Sequence, residues 1–62
     1  MEIEGLGLVV PGTNVKHPTF GRGVVTGLAL WDSGDRTIGV EFSNHGVKWL
    51  VPEYANLKRG GL

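Results

Sequence analysis

Two segments constrain this chain more than anything else in it. They are Val15-Lys16-His17-Pro18-Thr19-Phe20-Gly21-Arg22-Gly23-Val24-Val25 and Val40-Glu41-Phe42-Ser43-Asn44-His45-Gly46-Val47-Lys48-Trp49-Leu50-Val51. Each sets β-branched and aromatic residues on both sides of a short Gly-, Pro- or Asn-containing break, which is the pattern of a hairpin. Hairpins in so short a chain predict a very small β-barrel that works through its surface.

The strands follow from the breaks. Thr13 to His17 is a short first strand with Val15 inward. Pro18 has no donor for a central ladder, so the chain turns there. Arg22 to Leu30 is a long second strand whose inward positions begin at Gly23 and Val25. Leu28 and Leu30 then follow with opposite parity, which a bulge at Gly27 reconciles. Asp32-Ser33-Gly34-Asp35 is a hairpin turn. From Arg36 to Ser43 the pattern alternates, with Ile38, Val40 and Phe42 on one face. Asn44-His45-Gly46 connects to a fourth strand in which Val47, Trp49 and Val51 share a face. Pro52 to Ala55 reads as one helical turn, and Asn56 to Lys58 as a fifth strand. The expected fold is all-β, a five-stranded SH3-like (Tudor-like) barrel with one short helical turn before the last strand. Its expected core is Val15, Phe20, Val25, Leu28, Ile38, Val40, Phe42, Val47, Val51 and Leu57, with Trp49 partly buried. Residues 1–11 are expected to be a flexible or edge-strand tail, 12–59 the barrel, and 60–62 a disordered end.

A chain of 62 residues buries only roughly 60% of its unfolded surface, so its core is thin. There are no cysteines, hence no disulfide and no thiolate metal site. No apolar run approaches the ~20 residues of a membrane span. The opening Met1-Glu2-Ile3-Glu4 lacks a basic signal-peptide region. A soluble cytoplasmic protein with no membrane partner is expected. Net charge is zero, with six Lys/Arg against six Asp/Glu. Glu2 and Glu4 lie in the tail, leaving a small positive excess over residues 12–62 that permits phosphate contacts without demanding them.

No segment carries a strong catalytic signature. Gly21-Arg22-Gly23-Val24-Val25-Thr26-Gly27 has the wrong spacing for a dinucleotide loop, and no helix follows it. His17 and His45 lack the further ligands zinc requires; His17 is expected to bond a turn backbone, and His45 to sit on a hairpin tip. Ser33 and Ser43 have no water-excluding pocket to activate them. An aromatic cage from Trp31, Trp49, Tyr54, Phe20 and Phe42 would take rings the core needs. No catalytic residue, cofactor, metal or small-molecule substrate is expected.

The order Gly12, Val15, His17, Phe20, Gly21, Gly23, Val25, then Gly46-Val47-Lys48-Trp49-Leu50, Tyr54-Ala55 and Leu57 resembles the C-terminal Tudor-like domain of UvrD/PcrA-type DNA helicases. The likeness covers residues 12–58. In those helicases the module is tethered to an ATP-driven motor and implicated in contacting RNA polymerase, with DNA contacts also considered. Nothing here matches the motor's Gly-x-x-x-x-Gly-Lys-Ser/Thr loop. The expectation is therefore an excised terminal domain or a free-standing relative, not itself an enzyme.

The resemblance implies a protein-interaction module whose partner is RNA polymerase or a repair factor, acting as a monomer. Expected partner-binding residues are Lys16, Arg22, Trp31, Lys48 and Trp49, with edge-strand addition as the mechanism and Trp31 as apolar anchor. Two other readings stand beside it. One is a small DNA-binding barrel contacting phosphates through Lys16, Arg22, Lys48, Lys58 and Arg59. The other is a self-associating module pairing Leu6 to Val10 between copies.

Overall fold

The computed structural model describes residues 1–60. They form β1 (Glu2–Ile3), β2 (Gly7–Leu8), β3 (Asn14–His17), β4 (Gly21–Leu30), β5 (Arg36–Phe42), β6 (Gly46–Leu50), the helical turn α1 (Pro52–Ala55) and β7 (Lys58–Arg59). Five strands make one antiparallel sheet in the order β6-β5-β4-β3-β7, while β1 and β2 pair separately. The fold is all-β with one four-residue helix. The late helical turn and five strands in the expected order are present, the fifth at Lys58–Arg59 where Asn56 to Lys58 was expected. Hydrogen-bonded closure into a barrel is not, because β6 and β7 stand at opposite edges of the sheet. No helix among the described residues is long and apolar enough to cross a membrane.

The long strand β4 carries the sheet. It pairs with β3 along its first half and with β5 along almost all of its length. The register shifts between Val25 and Gly27, so the bulge falls on Thr26, one residue before the expected Gly27. Thr26 donates its hydroxyl to the Gly39 carbonyl at 3.3 Å. The extra residue swaps the parity of β4, as the sequence required, and bends the strand. At the far tip, Trp31 N–H donates to the Asp35 carbonyl at 2.9 Å and Gly34 N–H to the Trp31 carbonyl at 2.8 Å. After α1, Asn56 takes a left-handed conformation, φ 53°, a role its short polar side chain suits. That reversal returns the chain to pair as β7 against β3.

The buried cluster is Ile3, Leu6, Val9, Val15, Val25, Ile38, Val40 and Phe42, with Phe20, Leu28, Leu50 and Leu57 half-buried against it. Its tightest point is Gly23, opposite Phe42. A Cβ there would stand 2.5 Å from Val40 Cγ1 and 2.8 Å from Phe42 Cδ1. Only hydrogen fits between β4 and these side chains.

Three corrections to the expected layout follow. The first concerns residues 1–11, which are neither a loose tail nor an edge of the main sheet. They fold as a hairpin that supplies three of the eight buried cluster residues, Ile3, Leu6 and Val9. The Met1 ammonium donates to the Val9 carbonyl at 2.9 Å. Arg59 Nη1 donates to the carbonyls of Leu6 and Leu8 at 3.0 and 2.9 Å, and Arg36 Nη1 to that of Glu2 at 2.8 Å. Leu6 and Val9, which self-association needed between copies, are thus consumed within the chain; only Leu8 and Val10 remain exposed.

The second correction is the parity of β6. Lys48 and Leu50 face Val40 and Ile38 across the ladder, so these residues point coreward. Val47, assigned to the core by sequence, and Trp49, expected to be partly buried, are 54% and 58% exposed on the other side. Lys48 manages a core-side position by extending its stem so that Nζ lies 4.8 Å from the centroid of Phe20. Val51, also assigned to the core, is half-buried as the N-cap of α1. The third correction is at the C-terminal end. Gly60 donates to the Asn14 carbonyl at 2.8 Å and extends the β3–β7 pairing; the rest of the expected disordered end, residues 61–62, lies outside the described residues.

Two outcomes test this packing. Burying three aliphatic side chains contributes about 5–9 kcal/mol at ~1.5–3 kcal/mol each, against a core that rarely supplies more than ~3–5 kcal/mol net at this size. Deletion of residues 1–10 is therefore expected to abolish cooperative unfolding followed by circular dichroism. Gly23→Ala is expected to cost about 2–3 kcal/mol by overpacking, read as a lowered urea midpoint; an unchanged midpoint would show that the sheet yields at this point.

Candidate interaction face

Because β-strand side chains alternate, the register sorts every surface residue of the sheet. Val15, Gly23, Val25, Ile38, Val40 and Phe42 face the core. Lys16, Arg22, Val24, Thr37, Gly39, Glu41, Val47, Trp49 and Lys58 therefore share the outer face.

Trp49 stands opposite Gly39, which in turn stands opposite Gly27. A Cβ on Gly39 would be 3.0, 3.1 and 3.1 Å from the adjacent ring atoms Cζ2, Cε2 and Cη2. Near-equal distances to three consecutive ring atoms place that point over the ring face rather than at its edge. A Cβ on Gly27 would meet Cη2 at 3.0 Å. The neighbouring ring atoms Cζ2 and Cζ3 would be 3.7 and 3.9 Å from that point, so Gly27 meets the edge of the ring. The indole thus lies flat on Gly39 with its Cη2 edge against Gly27, one face against backbone and the other toward solvent. Gly39 is buried beneath it.

Trp31 joins the same face at the β4–β5 tip. Its Nε1–H donates to Thr37 Oγ1 at 2.9 Å, and Thr37 is outward by register. Trp31 is 56% exposed. Nearer the sheet centre, Val24 and Val47 flank Glu41 on β5 from either side and are themselves exposed.

A second feature lies at the other end of the face. Lys16 stands directly opposite Arg22 on one side and Lys58 on the other. Three cations form a row across β4, β3 and β7 with no acid interposed. Like charges directly opposite one another destabilise a sheet, a cost that an anion bound across the row would offset. A shallow cleft lined by Lys16, His17, Pro18, Asn56 and Lys58 opens beside the row.

Of the residues singled out in the sequence, Lys16, Arg22, Trp31, Trp49 and Lys58 come together on this face. Lys48 does not, being turned coreward over Phe20. Arg59 does not either: it pairs with Val15 on the core side and holds the β1–β2 hairpin. Gly27, Gly39, Val24 and Val47 are not among the partner-binding residues expected from the sequence. The available signal was a glycine pair on neighbouring strands facing a tryptophan, which only the register brings together.

The histidines serve structure. His17 Nδ1 accepts from the backbone N–H groups of Thr19 and Phe20 at 2.9 and 3.1 Å, the turn-backbone role its position suggested. Its ring stacks on Phe20 with centroids 4.5 Å apart. His45 is exposed on the β5–β6 tip, 5.3 Å from the Phe20 ring. Ser33 donates to the Asp35 carboxylate at 2.9 Å on an exposed turn.

The flat seating of Trp49 has a direct test. Gly39→Ala is expected to lift the indole, changing the near-ultraviolet circular dichroism of the aromatic bands while costing only about 1 kcal/mol, since the ring has open solvent to move into. An unaltered aromatic spectrum would refute the contact.

No protein-family model matches the chain, and the curated proteins contain no match to it.

Proposed function

We propose that this chain is a non-catalytic protein-recognition module of SH3-like, Tudor-like type. Its partner is RNA polymerase or a protein of DNA repair or transcription, as its resemblance to the UvrD/PcrA-type helicase domain implies. The observation that carries the reading is the outer face itself. Two tryptophans, each more than half exposed, lie on one side of the sheet with exposed valines beside them. Large aromatic side chains exposed on a rigid scaffold are the commonest anchors of protein interfaces. The consecutive hairpins from β3 to β6, the helical turn α1 and the return of β7 to β3 support the barrel reading of the fold. The free edge of β6 gives strand addition a place to occur.

The cation row favours a second reading, in which the face binds nucleic acid through phosphate contacts. Both can be tested with the tagged chain in a pull-down from bacterial lysate, with and without nuclease. RNA polymerase subunits retained after nuclease digestion, and lost with Trp49→Ala, are the expected result. Disappearance of every partner on digestion would favour the nucleic-acid reading. Once a partner is isolated, calorimetry at moderate salt should show at least a tenfold loss for Trp49→Ala or Trp31→Ala, about 1.4 kcal/mol or more, and a smaller one for Lys58→Ala.

A further inference from the structure

The outer face is polarised in a way that specifies the chemistry of what it binds. Its apolar end is the Trp49 indole, lying over Gly39 with its edge against Gly27, with Trp31 beyond. Its charged end is the row Arg22–Lys16–Lys58. Between them lies Glu41, flanked on the sheet by Val24 and Val47. Two further carboxylates, Asp32 and Asp35, occupy the turn beside Trp31.

A nucleic-acid strand bears a negative charge at every nucleotide. One stacked on Trp49 and reaching the cations would carry phosphates past Glu41 and leave others against the Asp32–Asp35 turn. The face instead complements a ligand whose negative charge is confined to one end. Its middle should be neutral and its other end apolar.

We propose that this face takes an extended peptide segment, with an apolar or aromatic side chain seated on Trp49 and an acidic cluster on Arg22, Lys16 and Lys58. The proposal rests on the protein-recognition reading above and adds the partner's chemistry and spacing. Gly27, at the edge of the indole, and Arg22 are five residues apart on β4, about 15 Å of strand. An extended peptide covers that distance in about four to five residues, which sets the interval between anchor and acidic cluster. The anchor's side chain covers the solvent-facing side of the indole. The middle of the segment passes over Val24, where its backbone N–H groups can donate to Glu41. The leading carboxylate enters the cleft between Lys16 and Lys58, and the next pairs with Arg22. These contacts relieve the like-charge juxtaposition of the row.

A library of random twelve-residue peptides displayed on phage and selected against the full chain tests this directly. Enriched sequences are expected to place Asp or Glu clusters four or five residues from a Phe, Trp, Tyr or Leu. A synthetic peptide of that kind should lose at least tenfold in affinity with Trp49→Ala and with Lys16→Glu/Lys58→Glu. The same peptide with its acids changed to Lys should bind the charge-reversed variant at least tenfold better than the original chain, a rescue that misfolding cannot produce. Enriched peptides with no acidic bias, or insensitive to Trp49→Ala, would overturn the proposal and leave the protein-recognition reading standing. A library without any binder overturns the proposal as well. If single-stranded (dT)12 then binds with a steep loss on added salt, the protein-recognition reading falls with it.

Discussion

The absence of a side chain at Gly23 is the constraint on which the rest of the structure depends. Val40 and Phe42 are both fully buried, and both converge on the space a Cβ at Gly23 would fill. In a chain this small, a close-packed core has little room to absorb displaced side chains. The approach of β5 to β4 therefore sets where Phe42 sits. Phe42 in turn sets Phe20, whose ring centroid is 5.2 Å away. Phe20 carries His17 on one face of its surroundings and the Lys48 ammonium near its ring.

The same device recurs on the opposite side of the sheet with a different result. Gly39 also lacks a side chain where a large neighbour lies over it, and Gly27 where that neighbour's edge comes close, but the neighbour is Trp49, and it is not covered. Inside, glycine lets the core close; outside, it lays an aromatic ring flat and holds one face of it against backbone. A tryptophan so placed has little rotamer freedom left to lose on binding, and this pre-organisation lowers the entropic cost of an interface. The bulge at Thr26 connects the two devices, because it moves β4 from presenting Gly23 inward to presenting Gly27 outward.

The strands were legible because period-two alternation in Ile38, Val40 and Phe42 admits one reading, and because Pro18, Gly34 and Gly46 mark the reversals. β6 was misread for a physical reason. Val47, Trp49 and Val51 are together more apolar than Lys48 and Leu50, so hydrophobicity alone turns them inward. Lys48 wins the core-side position because its aliphatic stem and the Phe20 ring accept it there. The N-terminal hairpin was illegible for another reason. Its buried positions, Ile3, Leu6 and Val9, fit no strand period, and its ties come from Arg36 and Arg59, more than thirty residues away. Of the interaction face, the individual residues Lys16, Arg22, Trp31, Trp49 and Lys58 could be named from sequence. Their shared side, and the departure of Lys48 and Arg59 from it, required the register.

That register reaches the face through its shortest strand. β7 is only two residues long, and two ladder positions alone would hold it weakly. Arg59, pointing coreward, fixes it by gripping two carbonyls of the β1–β2 hairpin, and alternation then sends Lys58 outward beside Lys16. A slip of one residue would exchange the two, leaving the hairpin carbonyls to Lys58 and carrying Arg59 into the row. The hairpin that completes the core therefore also sets the cation row. Because Leu6 is buried and its carbonyl is one of the two that Arg59 grips, loosening the hairpin would open the core and disturb the row together. The packing of the core and the placing of the cation row share one tie, so neither can vary freely of the other.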